Sequence, residues 1–210
     1  MPQTTVILAR HGRLENPQGT IYDGTISLSN LGKMEMRVLG RILRDRGIVP
    51  DAIVSSDFLR AVQSSAEIRG NYPELNMPIE TDPRLQDPNS PDMFGKSLVW
   101  LAEIVDPHTH PELANWRIER PPSFTARMVA AISGVVRKHS GKTIFVVSHG
   151  DPTAFAMWQL LNPGQPLPSL RELQKESGRV PYLEKGEAWR ILFDDQGNVI
   201  DHEHIANPSK

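Results

Sequence analysis

The sequence predicts a three-layer α/β/α domain with a mostly parallel central sheet and an antiparallel edge strand. Three observations predict it. Thr4–Ala9 and Thr143–Val147 are short, apolar, β-branched runs, as expected of strands buried on both faces. Helices with one apolar face lie between such runs, the alternation that builds a parallel sheet covered on both sides. Near the C-terminus, Asp195-Gln196-Gly197-Asn198 sits between two further strand-like runs, a hairpin turn that gives an antiparallel edge. At 210 residues the chain suits one domain over 1–210 with an insertion.

The first strand ends in Arg10-His11-Gly12. Ligands of open α/β sheets bind beyond the carboxyl ends of the strands, so Arg10 and His11 sit where a ligand would. Gly12 lets the chain turn and something approach its backbone. Taken alone, the tripeptide fits a ligand site and a solvated loop equally well. Residues 13–29 form a long polar loop, in which Asn16 is either a donor to a bound oxygen or a turn residue before Pro17. Ser29 caps a predicted helix carrying Leu31, Met34, Val38, Leu39, Ile42 and Leu43 on one face, ended by Gly47. A second strand, Ala52–Val54, leads to Asp57, read as the cap of a helix whose first turn brings Arg60 to that strand's end. Arg60 alone reads as a surface ion pair. Pro78-Ile79-Glu80 resembles a short edge strand.

From Pro83 to Pro122 seven prolines break the pattern, leaving one helical patch at Leu98, Leu101, Ile104 and Val105. This is read as a cap insertion over the ligand end of the sheet, with Asp87 at its start. Trp100 and Trp116 in it are either cap core or an exposed binding edge. His108 and His110 lack an accompanying carboxylate cluster, so they read as a solvated loop rather than a metal pair. An amphipathic helix from Pro121, stopped by Gly141, precedes the second buried strand, which ends in Ser148-His149-Gly150. Asp151, followed by Pro152, reads as the cap of a helix that buries Phe155, Trp158 and Leu161. A polar helix over Leu170 to Glu176 and the terminal hairpin complete the chain. His202 and His204 read as solvated.

Composition narrows the function. A formal net charge of −2 gives no basic face for nucleic acid. Without cysteine there is no thiol nucleophile, disulfide or thiolate metal site. No run approaches the ~18 apolar residues of a membrane span, and no signal-peptide pattern opens the chain. A soluble, cytoplasmic protein is the expectation, with no cofactor and no metal. Its oligomeric state is not legible, a homodimer being one option.

Three strand ends carry Arg10-His11, Arg60 and His149, joined by the carboxylic acid Asp87. These types imply phosphoryl transfer without a metal. Guanidiniums chelate phosphate oxygens and neutralise their charge. One imidazole attacks phosphorus from an unprotonated nitrogen, kept so by the neighbouring arginines, and the other donates to an equatorial oxygen as a cation.

Four elements in order make the chain resemble the histidine phosphatase superfamily, in its phosphoglycerate mutase-like branch. They are Arg10-His11-Gly12, Leu28-Ser29-Asn30-Leu31-Gly32, Ser56-Asp57-Phe58-Leu59-Arg60-Ala61 and Val147-Ser148-His149-Gly150. The resemblance implies a phosphoglycerate mutase-like fold and makes His11 the phosphorylated nucleophile. Arg10, Arg60 and His149 form the implied phosphate pocket, with Asn16 and Gly150 as further contacts. Where the family's general acid is usually Glu, this chain has Asp87 in Leu85-Gln86-Asp87. Asp92 and Asp151 are its rivals, and Arg13, in place of Glu or Gln, is either a grip on a distal anion or a surface residue.

Mutases of this family carry further Arg and Lys after the acid, whereas Gln86 to Glu103 holds only Lys96. The expected activity is hydrolysis of a small phosphate monoester through a phosphohistidine. The alternatives are a phosphoglycerate mutase-type transfer and a non-catalytic module that binds a phosphorylated ligand.

Overall fold

The computed structural model describes residues 2–104, 106–175 and 182–208. Strand β1 (Thr4–Arg10) lies at the centre of a six-stranded sheet, parallel to β4 (Thr143–Ser148), with Val6 opposite Ile144 and Arg10 opposite Ser148. Beyond β4 come β2 (Ala52–Ser55) and the short edge strand β3 (Ile79–Thr81), both parallel. On the other side β5 (Ala188–Phe193) runs antiparallel to β1, and β6 (Val199–Ile205) antiparallel to β5. The order is β3-β2-β4-β1-β5-β6, the mixed three-layer architecture expected.

Alternation along β1 divides the core. Val6 and Leu8 face one layer, built on α4 (Pro121–Lys138) and α5 (Gly150–Leu161) with Met128, Ile132, Ala156 and Met157. Ile7 and Ala9 face the other, built on α1 (Asn30–Asp45) and α2 (Leu59–Arg69) with Met36, Leu39, Leu43 and Ile68. Because both faces are covered, β1 and β4 read as continuous apolar runs rather than alternating ones.

Ser29 caps α1 as expected, accepting from the Gly32 N–H at 3.0 Å. The buried face, however, is Gly32, Glu35, Met36, Leu39, Gly40 and Leu43. Leu31 and Met34, assigned to the core from pattern, are exposed. The stripe is rotated because two glycines and one carboxylate belong to it, residue types that apolar periodicity does not count. A Cβ on Gly32 would overlap the Arg13 carbonyl, so α1 can only dock against the 12–13 backbone through glycine. Glu35, 1% exposed, accepts from the Arg13 N–H at 2.8 Å and pairs with its guanidinium at 2.9 Å. Arg13 therefore anchors this turn.

Two expected caps are corrected. Phe58, not Asp57, holds the N-cap position of α2, and Asp57 accepts from Gln86 Nε2 at 2.8 Å. Helix α5 starts at Gly150, after His149, and the Asp151 carboxylate points away from the helix start to other partners.

Residues 83–122 contain three single 3-10 turns and α3 (Leu98–Ile104). Val105, expected in this helix, and Glu176, expected in α6 (Leu170–Gln174), lie outside the described residues. Met93, Leu113 and Ile118 form a small core of their own, flanked by Trp100 and Trp116 stacked at 5.7 Å between centroids. The tryptophans are thus cap core. Arg127 of α4 clips the start of this segment, donating to the carbonyls of Arg84, Gln86 and Asp87.

Gly32→Ala tests the docking of α1. Overpacking of this kind costs about 1–3 kcal/mol, so the urea midpoint should fall with an unchanged slope; an unaltered midpoint would mean that the helix can shift freely.

Candidate active site

The parallel strands β1, β2 and β4 end on the same side of the sheet, and there the ladder continues one residue further. The His11 N–H donates to the Ser148 carbonyl at 3.0 Å and the Ser56 N–H to the Val147 carbonyl at 2.9 Å. The Gly12 N–H then donates to Ser64 Oγ at 3.2 Å, and Ser64 donates to the Arg60 carbonyl at 2.7 Å. A Cβ on Gly12 would overlap the Gly32 carbonyl. The turn after β1 is therefore fixed from both sides, and the His11 ring with it.

His11 is 2% exposed, and its Nδ1 lies 2.8 Å from the Gly12 carbonyl oxygen. A carbonyl only accepts, so Nδ1 carries the proton and Nε2 keeps its lone pair. Burial, then the charges of Arg60 and Arg10, hold the His11 pKa well below its ordinary value. The ring is neutral at neutral pH, with one nitrogen available as a nucleophile.

His149, fully buried, departs from the expected cation. Arg60 Nε donates to its Nδ1 at 3.2 Å, and its Nε2 lies 2.9 Å from Ser56 Oγ. Nδ1 must accept, so Nε2 carries the proton and donates to the serine. Burial and the charge of Arg60 again push the pKa well down. The structure brings in the second imidazole neutral, 5.2 Å from His11 between ring centroids.

Arg60 is 1% exposed, not the surface residue it resembles in isolation. Besides His149 it donates from Nη1 to the Asp23 carbonyl at 2.8 Å and from Nη2 to Asp87 Oδ2 at 3.0 Å, with Phe58 and Tyr22 against its faces. Arg10 donates from Nη1 to the Leu183 carbonyl at 2.7 Å and lies over the Tyr182 ring, while its Nε has no partner among the described residues. Gly150 admits this arrangement, since a Cβ there would stand 2.8 Å from Arg10 Cζ.

The three carboxyl candidates separate by environment. Burial raises the Asp87 pKa, and the opposing charge of Arg60 does not cancel the shift. Burial also acts on Asp151, but hydrogen bonds from His108 and Tyr182 outweigh it and hold its carboxyl below the ordinary value. Asp92 pairs with Arg117 outside the cavity, which lowers it.

Arg10, His11, Arg60, Asp87, Gly150 and Asp151 all line one cavity of about 570 Å³ between the sheet end and the cap. His149 lies directly behind it. Asn16 does not reach it: its amide donates to the Thr20 carbonyl at 2.9 Å, in a neighbouring groove. The loop turns outward there, which residue type alone does not reveal. Among the described residues, no group of three or more His, Cys, Asp or Glu is arranged to hold a metal ion.

Residues 6–191 match the model of the histidine phosphatase superfamily (branch 1). The chain belongs to that superfamily. A broad-specificity phosphatase of Saccharomyces cerevisiae is 27% identical over 150 residues, 69% of this chain and 65% of the yeast protein, so the match leaves about a third of that relative uncovered. A 2,3-bisphosphoglycerate-dependent phosphoglycerate mutase of Tropheryma whipplei is 24% identical over 172 residues, 70% of this chain and 78% of the mutase. Among solved structures, Bacillus stearothermophilus YhfR superposes with a TM-score of 0.75 at 24% identity, covering 99% of this chain and 97% of that one. The two chains thus share one fold over nearly their whole lengths.

Two members of the site escaped the sequence reading. Tyr182 donates to Asp151 Oδ1, and His108, read as solvated, is 5% exposed with Nε2 3.2 Å from Asp151 Oδ2. No local signal marks His108, because its partner Asp151 lies 43 residues away. His204, also read as solvated, pairs with Glu187 at 3.0 Å.

Burial opposes charge on His108, but the Asp151 hydrogen bond and charge outweigh it and raise the pKa. A raised His108 value and a lowered Asp151 value mean that the pair stabilises the fold most between the ordinary carboxylate range and pH ~6.5. That contribution fades as pH rises through the His108 pKa. In an NMR titration of the ring protons His108 should titrate above 6.5, and Asp151→Asn should bring it below; an unshifted wild-type His108 would contradict the pairing.

Proposed function

We propose that the chain is a phosphatase that hydrolyses a small phosphate monoester through a phosphohistidine at His11. The observation that carries this reading is the Gly12 carbonyl bonded to His11 Nδ1, which leaves Nε2 as a neutral, oriented nucleophile between two arginines. The phosphate dianion takes the free Nε of Arg10 and the guanidinium edge of Arg60, whose charges do the work a metal does elsewhere. The Nε2 lone pair forms the N–P bond as the P–O bond to the leaving group breaks. That electron pair goes to the leaving oxygen, which takes the proton of Asp87. Asp87 suits the task because burial already raises its pKa and the bound dianion adds a like charge. Water then attacks phosphorus, passes a proton to the Asp87 carboxylate, and the N–P electrons return to Nε2 as phosphate departs.

His149 supports the same step. With phosphate present, Arg60 turns a donor toward the phosphate, freeing His149 Nδ1 to take a proton and donate to an equatorial oxygen. The dianion offsets the burial and charge that keep this ring neutral without ligand.

A mutase is the second reading, favoured by the named mutases among the relatives. It requires a grip on a second anionic group. Apart from Arg10 and Arg60, no arginine or lysine among the described residues lines the cavity.

His11→Ala should reduce p-nitrophenyl phosphate hydrolysis by on the order of a thousandfold or more. Wild-type turnover in that variant would overturn the mechanism, as would loss of activity in EDTA for the metal-free route. Asp87→Asn should cost about 10²–10⁴-fold on an alkyl phosphate, whose alkoxide needs the proton, and far less on the nitrophenyl ester. It should also remove the fall in alkyl-ester turnover as pH rises through the Asp87 pKa; equal losses on both esters would give Asp87 a structural role only.

A further inference from the structure

Only one end of the cavity is built for phosphate. Beyond Arg10, Arg60 and Asp87, apolar side chains predominate, Phe94, Leu98, Leu101 and Leu170 among them, with Ser90 and Gln174 as polar interruptions. Leu98 and Leu101 stand one helical turn apart on α3, so one face of that helix looks into the cavity. Trp100 and Ile104 of the same helix pack into the cap's own core, and Leu101 touches that core as well as the cavity. The apolar wall therefore rests on a packed base.

The exposures point the same way. Phe94 and Leu98, which border the open cavity, are 43% and 39% exposed. Apolar surface left in water in a cavity contiguous with an anion pocket is surface that a ligand can cover favourably. Among the described residues, the charged groups that remain do not offer a second anion a home. His108 is engaged by Asp151, and Asp151 is filled by His108 and Tyr182. A leaving group bearing a carboxylate or phosphate would have to desolvate that charge against leucines.

We infer that the cavity selects phosphate monoesters of apolar alcohols, an alkyl or aryl chain of several carbons lying between α3 and Leu170 while its phosphate occupies the arginine end. The inference rests on the phosphatase reading for turnover, and on the cavity alone for binding.

The experiment keeps the two apart. Calorimetry on the full chain compares ethyl-, butyl- and hexylphosphonate, which bind without being cleaved. Steady-state kinetics compare ethyl, butyl and hexyl phosphate with 3-phosphoglycerate and phosphoserine, with p-nitrophenyl phosphate as the measure of turnover. Affinity and kcat/KM should each rise roughly two- to fourfold per added methylene, through Kd and KM rather than kcat. Hexyl phosphate should exceed both charged esters. Leu98→Ser, at an exposed position, should flatten the dependence without lowering Tm. A flat or falling series in wild-type binding, or better turnover of 3-phosphoglycerate than of hexyl phosphate, overturns the inference. A rising phosphonate series with no phosphate released from any ester upholds the apolar cavity and sinks the phosphatase reading instead.

Discussion

A guanidinium buried as deeply as that of Arg60 has to be answered on every nitrogen, because an unpaired charge inside a protein costs several kcal/mol. Its three answers come from three parts of the chain: the Asp23 carbonyl in the long loop after β1, His149 at the end of β4, and Asp87 at the root of the cap. Phe58 and Tyr22 close its faces. Loop, sheet and cap are therefore held in register by one side chain. Burial first, and then this same charge, depresses both histidines, so the residue that fixes the geometry also shapes the protonation of the site.

Backbone geometry refines what that charge begins. Gly12, Gly32 and Gly150 stand where a Cβ would meet a carbonyl or a guanidinium. At each, the absent side chain is what lets two functional segments touch. The glycines of the motifs act here chiefly by close approach, since none of the three has a positive φ.

How much was legible in the sequence follows from range. The buried strands, the capped start of α1 and the converging Arg10, His11, Arg60 and His149 could be read because strand ends and helix starts are local events that topology then gathers. The rotated face of α1 could not, because Glu35 finds its partner in the backbone and guanidinium of Arg13, 22 residues away. Asp151 and His108 were each given a bland role for the same reason: a cap and a solvated ring are the best local readings, and only the fold of the cap brings the two side chains within 3.2 Å. Asn16 failed in the opposite sense, its local chemistry suiting a site that the loop carries it away from.

The cap has a core that shares no residue with either layer of the sheet. It is attached at its root by Leu85, buried in one layer's core, and by the Arg127 contacts to carbonyls 84, 86 and 87. Backbone carbonyls are the same whatever side chain is attached to them. Substitutions inside the cap can thus accumulate while its mounting, and the reacting groups beneath, stay in place. In evolutionary terms the molecule separates inheritance of the chemistry from inheritance of the preference, so a lineage could change its diet without relearning how to digest.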